Sequence, residues 1–190
     1  MTLIFATHNP NKVSEIMNLL PDHIQLLSLN DLDYHKEIVE YGKTIEENAK
    51  IKADAISKLF DFPCFADDTG LEVEALGGEP GVKSARYAGE AKNDDANKNK
   101  LLKNLKDKTN RTARFKTVIC YKNGNEEKEF IGICEGEITQ NPSGKDGFGY
   151  DPIFKPKGFS ETFAEMPAYQ KNKISHRGLA FQQLIEFLIA

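Results

Sequence analysis

The chain has 190 residues, 39% of them hydrophobic and 28% charged, with no tryptophan; that length and mixture suit one sizeable core and exclude both a disordered chain and two ordinary domains joined by linkers. The formal net charge of −4 excludes a general affinity for nucleic acid backbones, so an anionic small ligand needs a metal or a few placed basic side chains. No run approaches the roughly 18 apolar residues that span a bilayer, and the N-terminus has no basic lead or small-residue cleavage site, so no membrane role and a cytoplasmic location are expected.

In chain order, Thr2 to Ala6 reads as a short buried strand that stops at the polar hexapeptide Thr7, His8, Asn9, Pro10, Asn11 and Lys12. Val13, Ile16, Met17 and Leu20 then recur at helical spacing. The hexapeptide is therefore a strand-to-helix loop, which suits a phosphate through unpaired N–H groups, the helix dipole and Lys12. A plain Asn-capped helix start with a surface lysine fits the same residues. Leu26 to Leu29 reads as a second strand and Asn30 to Tyr34 as a turn, and Glu40, just before Gly42, reads on its own as a solvated carboxylate.

Thr44 and Glu47 form a capping box, and Ile45, Ala49, Ala53, Ile56 and Phe60 form one apolar stripe, predicting a helix that ends near Asp61 ahead of Pro63. Asn48 and Lys52 fall on its flank and read as a solvated face, the alternative being that they face a site. Phe65 to Gly70, FADDTG, follows an apolar lead and precedes the alternating Leu71, Val73 and Ala75. Asp67 and Asp68 therefore sit at a strand end close to a core, where a buried negative charge needs a cation or several hydrogen bonds.

Gly77 to Ser84 and Gly42-Lys43-Thr44 both fail the spacing of a Walker-type phosphate loop. Ser84 to Tyr87 reads as a strand or extended turn, and Asn93 caps a helix through Leu101, Leu102 and Leu105. Ala113 to Tyr121 and Lys128 to Ile138 form a β-hairpin around Asn123-Gly124, which makes the sheet mixed. The glycine-flanked aromatics Phe148 and Tyr150, beside Gly149, Asp151 and Pro152, suit stacking on a planar base; the alternative is a loop whose rings tuck into the core. Ser175 caps a last helix with His176 and Arg177 in its first turn, where cationic groups oppose the dipole and point to an anionic or acceptor-rich ligand. The cysteines Cys64, Cys120 and Cys134 and the four histidines have no zinc or redox spacing and read as packed thiols and non-ligands.

Four ordered motifs, Thr7 to Lys12, Phe65 to Gly70 with Gly77 to Gly81 and Ser84 to Tyr87, Gly147 to Asp151, and Ser175 to Gly178, resemble the inosine triphosphate pyrophosphatase family, nearly end to end. The resemblance implies an elongated α/β fold, one domain over 1–190 with two lobes, a long mixed sheet flanked by helices and a nucleotide cleft between the lobes. It implies a homodimeric, Mg²⁺-dependent hydrolase that cleaves ITP, dITP and XTP to the monophosphate and pyrophosphate. The family's phosphate loop falls on Thr7, His8, Asn9, Pro10, Asn11 and Lys12, its metal carboxylates on Glu40 and Asp68, and its general base on Asp68, with Thr69 contacting substrate. Its base pocket falls on Phe148, Gly149, Tyr150, Asp151, Lys171, His176 and Arg177, the last two expected to read the 6-oxo group. His8 replaces a glycine common among relatives, and the segment around Glu40 is one residue shorter than in some. A Maf-type nucleotide pyrophosphatase and a non-catalytic nucleotide sensor are the alternatives; the His176-Arg177 pair favours purines over the first, and the Asp67-Asp68 pair favours catalysis over the second.

Overall fold

A computed structural model describes all 190 residues. Strands β1 (Thr2–Phe5), β2 (Gln25–Ser28), β3 (Cys64–Val73), β4 (Pro80–Gly81), β5 (Thr112–Asn123), β6 (Glu126–Ile138) and β7 (Phe154–Pro156) form one mixed sheet. Its order is β2-β1-β3-β5-β6-β7, with β4 pairing β3. Strand β1 is parallel to β2 and to β3, whereas β4 runs antiparallel to β3 and β7 to β6. The helices are α1 (Pro10–Met17), α2 (Ile45–Ser57), α3 (Asp94–Asn104), α4 (Ala168–Ile174) and α5 (His176–Ile189).

The chain divides into two compact units, one of residues 1–68, 117–132 and 177–190, the other of 69–116 and 133–176. In the first unit, strand alternation sorts apolar residues into two cores. Ile4, Ala6, Cys64, Ala66, Val118 and Cys120 face Ile45, Ala49, Ala53 and Ile56 of α2. Leu3, Phe5, Phe65, Ile119 and Tyr121 face Ile16 of α1 and Ala180, Phe181 and Leu184 of α5. Burial on both faces explains why β1 and the start of β3 are unbroken apolar runs. The second unit has its own core, built around Leu71, Val73, Leu101, Phe115, Ile138, Phe154 and Phe163.

Local signals account for most boundaries. Thr44 Oγ1 accepts the Glu47 N–H at 3.1 Å, while the Glu47 carboxylate takes the Lys43 N–H at 2.5 Å, one residue before the group a capping box would use. Asn93 caps α3 by accepting the Ala96 N–H at 2.8 Å. The β5–β6 turn places Gly124 at φ +57°, in the left-handed region that Asn-Gly hairpins use.

Two expectations change, and two open readings are settled. Helix α2 stops at Ser57, with Leu59 and Phe60 turning back to the Ile56 carbonyl, so Phe60 packs from beyond the helix. Ser84–Arg86 is a turn of 3-10 helix rather than a strand or extended turn, because the buried Ser84 Oγ donates to the Gly81 carbonyl and accepts the Leu71 N–H, curling the chain. Tyr150 is buried at 5% exposure and its hydroxyl donates to the Ser84 carbonyl at 2.7 Å, so its ring belongs to the second core and is not a free stacking surface. His8 lies outside the left-handed region, where Asp33 and Lys92 are the two non-glycine residues, so a side chain at position 8 meets no left-handed backbone penalty.

Candidate active site

The adjacent carboxylates lie in the middle of β3 and not at a strand end, because the strand continues through Thr69 to Val73, and they point to opposite faces, as consecutive strand residues must. Asp67 follows Phe65 toward α1 and α5. There Lys12 Nζ lies 2.8 Å and Arg177 Nε 3.4 Å from its oxygens, and Arg177 Nη1 also reaches Glu15 Oε2 at 2.5 Å. Asp68 follows Ala66 toward α2. There Lys52 Nζ sits 3.4 Å from Asp68 Oδ1 and 3.1 Å from Glu40 Oε2.

These ionisable groups shift one another. Burial alone would raise the Asp67 carboxyl, but Lys12, Arg177 and Lys52 outweigh it and hold the group well below the ordinary carboxylate range. Burial lowers Lys12, with Asp67 opposing that pull. Burial also works against the charge of Lys52, yet Asp68, Glu40 and Asp67 together raise its pKa. The Asp68 carboxyl is raised, first by burial and then by the neighbouring Glu40, with Lys52 opposing.

The two faces differ in charge. On the Asp67 face two carboxylates, Asp67 and Glu15, meet two cations, Lys12 and Arg177. On the Asp68 face two carboxylates share Lys52 alone, and Asp68 Oδ2 is a buried oxygen without a hydrogen-bond partner. A buried carboxylate oxygen left without a partner is costly, and a cation is what it lacks. A divalent ion fits this donor set: hard oxygens from one or two carboxylates, with waters and substrate oxygens completing the shell. No group of three or more His, Cys, Asp and Glu side chains converges anywhere in the chain, so no all-protein metal cage is present.

The loop that carries Glu40 is seated on α2 by Gly42, whose N–H donates to Asn48 Oδ1 at 2.8 Å. A Cβ at Gly42 would collide with Asn48 Oδ1 and Glu47 Cβ. In the phosphate-loop candidate, Thr7 is buried and its hydroxyl accepts the Asn9 N–H at 3.1 Å. Asn9 Oδ1 in turn accepts the Asn11 and Lys12 N–H groups at 2.9 and 3.4 Å. Pro10 has no N–H to give. His8 Nε2 lies 2.7 Å from the Tyr34 carbonyl oxygen.

A second group lies in the other unit. Lys171, from α4, pairs with Asp151 at 2.7 Å, both side chains buried, and its ammonium lies 5.4 Å from the Phe148 ring centroid. Asp151 Oδ2 also accepts the Phe148 N–H at 3.0 Å. His176 stacks on Phe115 with ring centroids 4.3 Å apart.

With this geometry in place, comparison with known proteins is decisive: a sequence model of the Ham1 family matches residues 3–187. The chain belongs to the Ham1 family. It is 58% identical to the dITP/XTP pyrophosphatase of Christiangramia forsetii, over 99% of both chains. It is 55% identical to the dITP/XTP pyrophosphatase of Flavobacterium johnsoniae, over 100% of this chain and 99% of that one. Among solved structures, a HAM1 protein from Coxiella burnetii superposes with a TM-score of 0.91 at 38% identity, covering 100% of this chain and 98% of that chain. The Staphylococcus aureus Ham1 protein gives 0.89 at 41% identity, covering 99% of this chain and 98% of that chain.

Of the residues expected at the site of this Ham1-family chain, the first unit gathers Thr7 to Lys12, Glu40, Asp68 and Arg177, and the second gathers Phe148, Asp151, Lys171 and His176. The neighbours His176 and Arg177 have different partners: one stacks on Phe115 in the second unit, the other is ion-paired in the first. Thr69 is half-buried on β3 directly after Asp68. Lys52, expected on a solvated face, has a side chain only 12% exposed and bridges Glu40 to Asp68. Its signal was positional: it lies three residues after Ala49 and four before Ile56, beside the buried stripe. Glu15 carried no signal, since its partner is 162 residues away in the chain.

Proposed function

We propose that this chain hydrolyses non-canonical purine nucleoside triphosphates, ITP, dITP and XTP, to the monophosphate and pyrophosphate, with residues 1–190 acting as one catalytic domain. Full-length relatives described as dITP/XTP pyrophosphatases support the reading. The observation that carries its chemistry is the Asp68 oxygen, buried without a partner beside Glu40 and Lys52.

Asp68 and Glu40 would hold Mg²⁺, which when bound supplies charge neutralisation on the phosphates. Asp68 serves as general base toward the attacking water. Burial raises its pKa, and a base is most effective when its pKa approaches the working pH. Lys52 keeps the Asp68 carboxylate oriented through Oδ1, leaving Oδ2 for the metal or the water. Thr7 to Lys12 and Thr69 bind phosphate oxygens, and Lys12 exchanges part of its hold on Asp67 for the substrate.

The purine stacks on Phe148, the half-buried ring of the second group, with Gly149 and Asp151 shaping the loop. His176 and Lys171 offer donors to a 6-oxo oxygen. Against the 6-amino group of ATP a donor would meet a donor, a mismatch that can reject a substrate by roughly 10⁴-fold. Arg177, tied to Asp67 and Glu15, serves the phosphate side. The enzyme works in the cytoplasm as a homodimer.

Purified protein is incubated with ITP, XTP, dITP, GTP and ATP plus Mg²⁺, and phosphate is measured with and without added inorganic pyrophosphatase. We expect signal from ITP, XTP and dITP only when pyrophosphatase is present. Phosphate release without it would make the enzyme a phosphatase, and equal turnover of ATP would remove the base discrimination. Asp68→Asn should lower kcat by about 10²-fold or more, with an unchanged circular dichroism spectrum. Retained activity at saturating Mg²⁺ would reject the role of Asp68.

A further inference from the structure

Phe148 stands between two glycines held in the left-handed region, Gly147 at φ +74° and Gly149 at φ +61°. A Gly-Phe-Gly segment has many accessible backbone states, so one ring orientation persists only if other contacts select it. On its inner side the selection is plain: Asp151, buried and paired with Lys171, accepts the Phe148 N–H. A Cβ at Gly147 would collide with that same carboxylate, so the backbone is pressed close to it.

The outer side is different. There the loop borders an open depression of about 670 Å³, walled by Lys92, Asn93, Asp94 and Lys98 on one side and by Gly147 to Gly149 on the other. Across it, Asp94 Oδ2 accepts the Gly149 N–H at 2.9 Å. Asp94 is the first residue of α3, directly after the capping Asn93, where the helix dipole stabilises a carboxylate. The two successive N–H groups of Phe148 and Gly149 are thus each held by a carboxylate, one buried and one exposed, 57 residues apart in sequence.

We propose that Asp94 is a positioning residue for purine recognition: by holding the Gly149 N–H it preorganises the Phe148 ring for stacking. This rests on Phe148 being the stacking ring. A preorganising contact saves ordering entropy on binding, so it acts on KM and leaves the chemical step alone.

The test is steady-state kinetics with ITP on the full chain for Asp94→Ala, Asp94→Asn, Phe148→Ala and the Asp94→Ala/Phe148→Ala double variant. Asp94→Ala should raise KM roughly five- to tenfold, the scale of one exposed charge-assisted hydrogen bond, with kcat within about twofold. Asp94→Asn, whose amide oxygen accepts the same N–H, should return KM to within about twofold of the parent. In the Phe148→Ala background the Asp94→Ala effect should vanish, because the carboxylate acts through the ring. An unchanged KM in Asp94→Ala while Phe148→Ala raises it overturns the proposal and leaves the base reading intact. An unchanged KM in Phe148→Ala removes the base reading itself. An Asp94→Ala effect that persists without Phe148, falls on kcat, or resists rescue by asparagine also overturns the proposal.

Discussion

Replacing Asp67 by asparagine would separate the work of the two adjacent carboxylates. Asp67 is 2% exposed, and it lies 2.8 Å from Lys12 and 3.4 Å from Arg177. Asparagine keeps the volume and removes the charge. Arg177 would keep Glu15, but Lys12 would lose the carboxylate that opposes the effect of its burial. Removing one partner of a buried ion pair costs about 3–5 kcal/mol, because the remaining charge stays desolvated. For a chain of this length each kcal/mol moves the melting temperature by about 2–4 °C, so Asp67→Asn should melt about 6–20 °C below the parent. The control is Lys155→Ala, which breaks the half-exposed pair with Glu137 and should cost no more than about 1 kcal/mol. Thermal unfolding at pH 7.5 followed by circular dichroism gives both values. An Asp67→Asn melting temperature within 2–3 °C of the parent, no lower than that of Lys155→Ala, would refute Asp67 as the counter-charge on this face.

Lys52→Met should tighten Mn²⁺ or Mg²⁺ binding by calorimetry while lowering turnover, because it leaves two carboxylates with no cation between them; weaker metal binding would show that Lys52 is needed to assemble the donor set. Tyr150→Phe should cost about 1–2 kcal/mol by leaving the Ser84 carbonyl without its donor, yet leave KM for ITP unchanged, since the ring is core. A raised KM would return Tyr150 to the base site. Burial pushes the thiols of Cys64 up to about 11 and of Cys120 and Cys134 up to about 12. The unfolded chain therefore releases thiol protons first, and melting temperature should fall as pH rises from about 9 toward 11; replacing the three cysteines by alanine should flatten that fall. Gly42→Ala should cost about 1–3 kcal/mol through the collision with Asn48 and Glu47, and should weaken metal binding by displacing Glu40.

Features that rest on neighbouring residues were readable in the sequence. The apolar runs of β1 and β3, the Thr44 cap, the Asn93 cap and the Asn-Gly turn are each decided within a few positions. The need of the Asp67-Asp68 pair for cations was readable too, since two carboxylates after a buried run have few alternatives. The identity of the cations was not. Lys12 and Arg177 reach Asp67 from 55 and 110 residues away, and no local pattern encodes such a pairing. Helix α4 was missed because its seven residues, rich in polar side chains, bear no apolar stripe; α4 nonetheless carries the buried Lys171. For Tyr150 the sequence left stacking and core packing both open, because the Ser84 carbonyl that anchors its hydroxyl in the core lies 66 positions away.

Strand geometry explains why the site uses two aspartates side by side. One carboxylate cannot both balance Lys12 and Arg177 and keep an oxygen without a partner, since each contact consumes its lone pairs. Alternation along β3 gives the two roles to consecutive residues on opposite faces. On the Asp67 face, charges balance and Lys12 and Arg177 hold the carboxylate ionised within a buried setting. On the Asp68 face, carboxylates outnumber cations and one oxygen is left over, so that face is poised to take a divalent ion.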